Sequence, residues 1–218
     1  ENLRTEGKMK IDRSQIINEL INYSQTGNGL IIGKPGVGKS FLIAQIAEKL
    51  IDNGIPVAII RIDELLDASD ISMNIEIGSE GNWLTFLKKI YIPDGTKAVL
   101  FFDAFDAARY ANFRNEVLNQ IKKALRQLTN WSVIVSARTF DAEKSPELHK
   151  IFGQKGLGAK SRSRNFEIKE LNETELESLF IDRPEFKAIY NAGGDSLKDI
   201  LRIPFFLDLM NQIFIEQG

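Results

Sequence analysis

The stretch Gly33-Lys34-Pro35-Gly36-Val37-Gly38-Lys39-Ser40 fits G-x-x-x-x-G-K-[S/T], a pattern with a specific chemistry. Its glycines let the backbone curl so that successive N–H groups point inward at phosphate oxygens. The flanks are those the pattern requires. Leu30-Ile31-Ile32 before it is an apolar run of the buried-strand kind. Ser40 to Ile51 after it reads as a helix, with Leu42, Ile43, Ile46, Ala47 and Leu50 on one side and Asn53-Gly54 as its stop. The positive end of that helix adds to the attraction for phosphate. Gly33 through Ser40 are therefore expected to hold a nucleotide's phosphates, with Lys39 reaching the β- and γ-phosphates and the Ser40 hydroxyl on Mg²⁺. Phe41, next in the chain, is counted among the cofactor-binding residues.

Working outward, Ile16, Ile17, Leu20 and Ile21 have helical spacing within Ile11 to Tyr23, with Asp12 or Ser14 as N-cap. Pro56 to Ile62, Ala98 to Phe102 and Trp131 to Ser136 read as further strands, and Phe166 to Ile168 as a short fifth. Helices are predicted over Trp83 to Ile90 and Phe113 to Leu128. Strands that are apolar throughout and alternate with helices indicate a parallel sheet covered on both faces. After Glu170 only helices are predicted: Glu173 to Phe180 capped by Asn172, one beginning at Pro184, a loop over Asn191 to Asp195, and a last one from Pro204. The expected organisation is an α/β nucleotide-binding domain over residues 1–169 followed by a helical lid subdomain over 170–218.

Two more strand ends carry chemistry. Val99-Leu100-Phe101-Phe102-Asp103 delivers a carboxylate to the sheet edge where ligands bind in open α/β folds, so Asp103 is expected to hold Mg²⁺ through water. Asp106, three residues on, is placed to orient or deprotonate an attacking water. Val133-Ile134-Val135-Ser136-Ala137-Arg138 ends on an arginine able to sense a γ-phosphate.

Composition removes other chemistries. The 218 residues include no cysteine and one histidine, His149, which excludes thiolate metal sites, cysteine nucleophiles and multi-histidine zinc sites. The net charge of −2 offers no global attraction to nucleic acid or anionic membrane. No apolar run reaches the ~20 residues of a membrane span, and a soluble, cytoplasmic protein is expected. Lys155, Lys160, Arg162 and Arg164 lie in a Gly/Ser-rich stretch read as a solvated loop, with a nucleic-acid grip as the alternative. Trp83 and Trp131 are expected in the core or an interface. The apolar face of the last helix (Phe205, Phe206, Leu209, Met210, Ile213, Phe214) is expected to pack on the α/β domain, or else to have faced a following domain.

The order of these elements resembles the STAND class of P-loop NTPases within the AAA+ group, and its NACHT branch above all. The carrying residues are the phosphate loop, Phe102-Asp103-Ala104-Phe105-Asp106-Ala107, the strand end at Arg138, and Leu201-Arg202-Ile203-Pro204-Phe205-Phe206-Leu207. Ala107 stands where that branch usually has a second acid, and Asp12 in Lys10-Ile11-Asp12-Arg13 stands where it has glycine. The resemblance implies a P-loop NTPase three-layer sandwich with a small all-helical subdomain. It also implies ATP or ADP with Mg²⁺ as cofactors, and adenine framed by Ile11 and Pro204. The implied function is a slow ATPase switch in signalling or defence, in which nucleotide state controls domain arrangement and homo-oligomerisation. Further domains, a winged helix and a sensor or effector, are implied outside this chain. Two other readings stand beside it: a DNA-acting AAA+ ATPase such as a helicase loader or transposition regulator, and an ADP-holding scaffold, which Ala107 favours. Arg109 and Arg114 are the candidates for an arginine finger acting on a neighbour.

Overall fold

The computed structural model describes residues 11–153 and 163–217. In chain order the elements are α1 Ser14–Gln25, β1 Gly29–Gly33, α2 Lys39–Asp52, β2 Val57–Arg61, a 3-10 turn at Ile62–Glu64, α3 Asp70–Ile77 and α4 Trp83–Lys88. There follow β3 Ala98–Asp103, a second 3-10 turn at Phe105–Ala107, α5 Ala111–Gln127, β4 Trp131–Arg138, α6 Thr139–Lys144, α7 Pro146–Phe152 and β5 Asn165–Glu167. The chain closes with α8 Glu173–Asp182, α9 Pro184–Ala192, α10 Asp195–Leu201 and α11 Pro204–Gln217.

All strand pairings are parallel, in the order β2-β3-β4-β1-β5. β4 thus lies between β1 and β3, with Gly33 opposite Arg138 and Phe102 opposite Val135. This register brings the ends of the phosphate-loop strand, the acid strand and the arginine strand to one edge of the sheet. β1 and β3 are buried along their whole length, which is why they read as unbroken apolar runs. Leu30 and Ile32 of β1 and Leu100 and Phe102 of β3 join Trp83, Trp131, Phe105 and Ile121 in one hydrophobic core, where each large side chain contributes about 1.5–3 kcal/mol by burial. Trp83 meets Phe102 edge-on at 6.5 Å, so both tryptophans are core residues as expected.

The expected α/β architecture is present, and the local departures have physical causes. Asp70–Ile77 is a helix that the sequence reading missed. Ile71, Met73, Ile75 and Ile77 alternate like a strand, but only Met73 is buried and Ile71 and Ile75 are exposed. The helix is set by its ends: Ser69 Oγ accepts the Ser72 N–H, and Gly78 closes it at φ +73°. The predicted loop over Asn191 to Asp195 narrows to the two glycines, because α9 runs to Ala192 and α10 starts at Asp195.

The described residues fall into two compact units. One holds residues 17–33, 39–153 and 163–167, the sheet and its helices. The other holds residues 11–16, 34–38 and 168–217, so the middle of the phosphate loop groups with the C-terminal helices. The second unit has its own core of Leu171, Leu176, Leu179, Phe186, Leu201 and Leu207, with Ile11 and Met210 packed against it. Asn172 caps α8 through a full capping box with Glu175. On α11, Leu207 is buried, whereas Phe205, Phe206, Leu209, Ile213 and Phe214 are partly exposed. No helix among the described residues is long and apolar enough to cross a membrane.

Candidate active site

Within the sheet unit, β1 ends at Gly33, whose carbonyl accepts a hydrogen bond from Lys39 Nζ at 3.0 Å. Lys39 is the first residue of α2 and Ser40 the second, so both stand at the helix's positive end. Burial holds the Lys39 ammonium below its ordinary pKa; the charge of Asp106 opposes that shift and the charge of Arg138 adds to it. Asp103 and Asp141 also act on Lys39, each favouring the ammonium. One cation is thus gathered with three carboxylates and an arginine at the strand ends.

Asp103, the last residue of β3, is 5% exposed. Ser136 on β4 donates its hydroxyl hydrogen to Asp103 Oδ1 and accepts the Ala104 N–H at 2.9 Å, so one serine orients both the carboxylate and the turn after it. Asp106 lies in that turn with its side chain 13% exposed, and Arg138 Nε meets its Oδ2 at 2.7 Å. The arginine expected at a γ-phosphate is therefore paired with the acid expected to handle water. Arg114 on α5 donates Nε–H to the Ala108 carbonyl at 3.1 Å and lies 3.6 Å from Asp141, while Arg109 is exposed. Directly after Arg138, the Thr139 hydroxyl oxygen is buried with no hydrogen-bond partner in the protein.

In the other unit, Gly36 and Gly38 have φ of +78° and +89°, a region that disfavours any side chain. A Cβ on Gly36 would come within 3.0 Å of Ile203 Cγ2 and Phe205 Cβ. The Phe205 N–H donates to the Gly36 carbonyl at 3.1 Å, and Pro204 opens α11. Arg13 is buried: Nε bonds Glu175 Oε1 at 2.8 Å, Nη1 the Val37 carbonyl at 3.0 Å, and Nη2 the Lys169 carbonyl at 2.9 Å. Lys34 pairs with Glu170 at 2.8 Å.

The structure therefore gathers Lys39, Asp103, Asp106 and Arg138 in the sheet unit, and Ile11, residues 34–38 and Pro204 in the helical unit. Phe41 is exposed on α2. Sequence reasoning missed Arg13, Ser136 and Asp141 as site residues. A polar residue inside the apolar run of β4 was the available signal for Ser136, and the Lys10-Ile11-Asp12-Arg13 segment was the signal for Arg13; Asp141 gave none. Arg164 is not available to grip a nucleic acid. It donates to the Gly27, Asn28 and Tyr23 carbonyls at 2.5–2.6 Å, with its guanidinium carbon 3.9 Å from the Tyr23 ring centroid. Lys155, Lys160 and Arg162 lie outside the described residues, as does Lys10.

Within the sheet unit, a lysine at a helix start and a buried carboxylate at a strand end suit the phosphates of a nucleoside triphosphate with Mg²⁺. Among the described residues no three His, Cys, Asp or Glu side chains cluster to hold a metal, so phosphate and water would complete the shell around Ser40 and Asp103.

Residues 29–163, more than half of the chain, match the ATPase family associated with various cellular activities (AAA). The chain belongs to the AAA family. No curated protein matches it. Among solved structures, the Walker-type ATPase PABY2304 of Pyrococcus abyssi is similar with a TM-score of 0.60 and 16% identity, covering 96% of this chain and 69% of that one. AMPPCP-bound DnaA from Aquifex aeolicus matches with a TM-score of 0.54 and 16% identity, covering 93% of this chain and 60% of that one. The Aeropyrum pernix ORC1 protein in complex with DNA matches with a TM-score of 0.53 and 11% identity, covering 99% of this chain and 64% of that one. This chain thus spans less than two thirds of the DnaA and ORC1 chains. At these identities the likeness establishes the fold. The AAA assignment stands, and none of these matches is particular to the STAND class or its NACHT branch.

Proposed function

We propose that this AAA-family chain is the ATP-binding and ATP-hydrolysing module of a DNA-acting ATPase. The observation carrying the ATPase part is the cluster at the strand ends, Lys39 on the Gly33 carbonyl with Asp103, Asp106 and Arg138 around it. Lys39 and the loop N–H groups bind the β- and γ-phosphates. Ser40 and Asp103 hold Mg²⁺, which neutralises charge on the phosphate oxygens. Asp106 orients the attacking water and takes its proton. Arg138 leaves Asp106 to meet the γ-phosphate, to which a guanidinium presents paired donors. The DNA-acting setting is supported by two structural neighbours, the Aeropyrum pernix ORC1 protein in complex with DNA and Drosophila ORC bound to DNA.

The second reading, a STAND- or NACHT-like signalling switch, is favoured by one contact. The Phe205 N–H bonds the Gly36 carbonyl where Pro204 begins α11, so loop geometry and lid helix are tied. In that reading nucleotide state sets the conformation and oligomerisation.

The test measures ATP hydrolysis by the purified chain with Mg²⁺, with EDTA, and with duplex DNA at two salt concentrations, beside Lys39→Ala. The expected result is Mg²⁺-dependent hydrolysis lost in Lys39→Ala, with DNA binding that weakens as salt rises. Hydrolysis without DNA binding selects the signalling reading. Tightly held ADP without turnover selects the scaffold. Failure to bind any nucleotide overturns the ATPase reading itself.

A further inference from the structure

Asp106 is carried on a turn that the chain would not adopt unaided. Ala104, which begins it, has φ +58°, and among the described residues it is the one non-glycine residue in the left-handed region. Such a conformation persists where the surroundings impose it, and it concentrates at functional sites. Three contacts impose it here. Ser136 Oγ accepts the Ala104 N–H at 2.9 Å, and the Phe105 ring is fully buried in the core. The third is Arg114 on α5. Its Nε–H bonds the Ala108 carbonyl at 3.1 Å, its guanidinium carbon lies 5.6 Å from the Phe105 ring centroid, and Nη2 lies 3.6 Å from Asp141 Oδ1.

These contacts close a circuit. Arg114 fastens the far end of the acid-bearing turn and joins it to Asp141 on α6, the helix that starts directly after Arg138. Arg138 pairs with Asp106 at 2.7 Å, back on the turn. Asp141 also acts electrostatically on Lys39.

We infer that Arg114, with Asp141, is a positioning residue for ATP hydrolysis, acting within its own chain on the turn that presents Asp106. This rests on the ATPase reading above. It replaces the expectation that Arg114 reaches a neighbour's site, since three groups of its own chain already engage it.

The test compares Arg114→Gln, Arg114→Lys, Asp141→Asn and the double variant R114Q/D141N with the parent. It reads kcat and KM for Mg²⁺-ATP, Kd for a fluorescent ADP analogue, and Tm. Phosphate binding does not use the turn, so the ADP Kd stays within about threefold of the parent. The kcat falls about 10- to 100-fold, the scale of misplacing a catalytic group by an ångström or less. Arg114→Lys recovers little, because one ammonium cannot bond the Ala108 carbonyl and also lie against the Phe105 ring. Asp141→Asn lowers kcat in the same direction, and the double variant is no slower than R114Q, as members of one unit behave. Parental kcat in R114Q and in D141N overturns the inference, and so do equal losses of affinity and kcat. Recovery of hydrolysis on mixing R114Q with Lys39→Ala chains also overturns it, because that is the signature of an arginine working in a neighbour's site. A parent that does not hydrolyse ATP overturns the ATPase reading and this inference with it. A hydrolysing parent with unaffected variants overturns the inference alone.

Discussion

Replacing Arg13 by methionine tests what holds the helical unit to the phosphate loop. Arg13 and Glu175 are 4% and 8% exposed, so their 2.8 Å contact is a buried ion pair. Removing one partner of such a pair strands the other charge away from water and costs about 3–5 kcal/mol. Arg13 also serves the Val37 and Lys169 carbonyls, and these lose a charged donor in the variant. Each carbonyl adds up to about 1–3 kcal/mol where water cannot replace the donor. Taking the ion-pair loss alone, the melting of a chain this size should shift down by about 6–20 °C, at about 2–4 °C per kcal/mol. Glu175→Gln isolates the charge, because its amide oxygen can still accept the Asn172 N–H that Glu175 Oε2 now receives. Its NH₂ group then faces the Arg13 donors. The assay is urea unfolding of parent, Arg13→Met, Glu175→Met and the double variant. The double variant is expected to lose less than the two single losses added, by about 2–3 kcal/mol, within the range for residues in direct contact. Nucleotide affinity should fall in Arg13→Met as well, since the Val37 carbonyl belongs to the phosphate loop. A single-variant loss below about 1 kcal/mol, the scale of an exposed pair, would refute the reasoning.

Gly36→Ala should impair nucleotide binding at least tenfold, seen by fluorescent-nucleotide titration, because φ is +78° and a Cβ meets Phe205 Cβ at 3.0 Å. Gly29→Ala should lower stability by about 1–3 kcal/mol as an overpacked core does, since its Cβ would fall 2.0 Å from Tyr23 Oη; an unchanged urea midpoint would count against the packing described. Ser136→Ala removes the acceptor of the Ala104 N–H and the donor to Asp103, so Mg²⁺-ATP turnover should drop by more than tenfold while ADP still binds. Burial pushes the Tyr23 phenol up to about 12 from 10.0, against the opposing Arg164 charge. Its folded-state pKa is raised, so the stability it contributes is present below pH 10 and is lost as pH climbs from 10 towards 12. The phenolate absorbance difference between parent and Tyr23→Phe should therefore rise near pH 12, and a midpoint near 10 would contradict the buried setting.

What the sequence determined by itself was local. The glycine spacing of residues 33–40, the strand before it and the helix after it could be read because each depends on neighbours a few residues away. The same holds for the carboxylates at Asp103 and Asp106, the Arg138 strand end, and the parallel sheet inferred from fully apolar strands. Asp70–Ile77 was not read as an element at all, because its apolar residues alternate and the helix is set by its caps, Ser69 and Gly78. Tertiary structure alone decided which groups meet. The strand order put β4 between β1 and β3, and so set Arg138 against Asp106. Arg13 and Glu175, 162 residues apart, became a buried pair because Ile11, two residues before Arg13, packs on the same core as α8. Arg164, read as a solvated charge, was spent on the carbonyls before β1. Periodicity records which face of an element is apolar, whereas the partner of a charge depends on how distant elements pack, and no spacing along the chain encodes that.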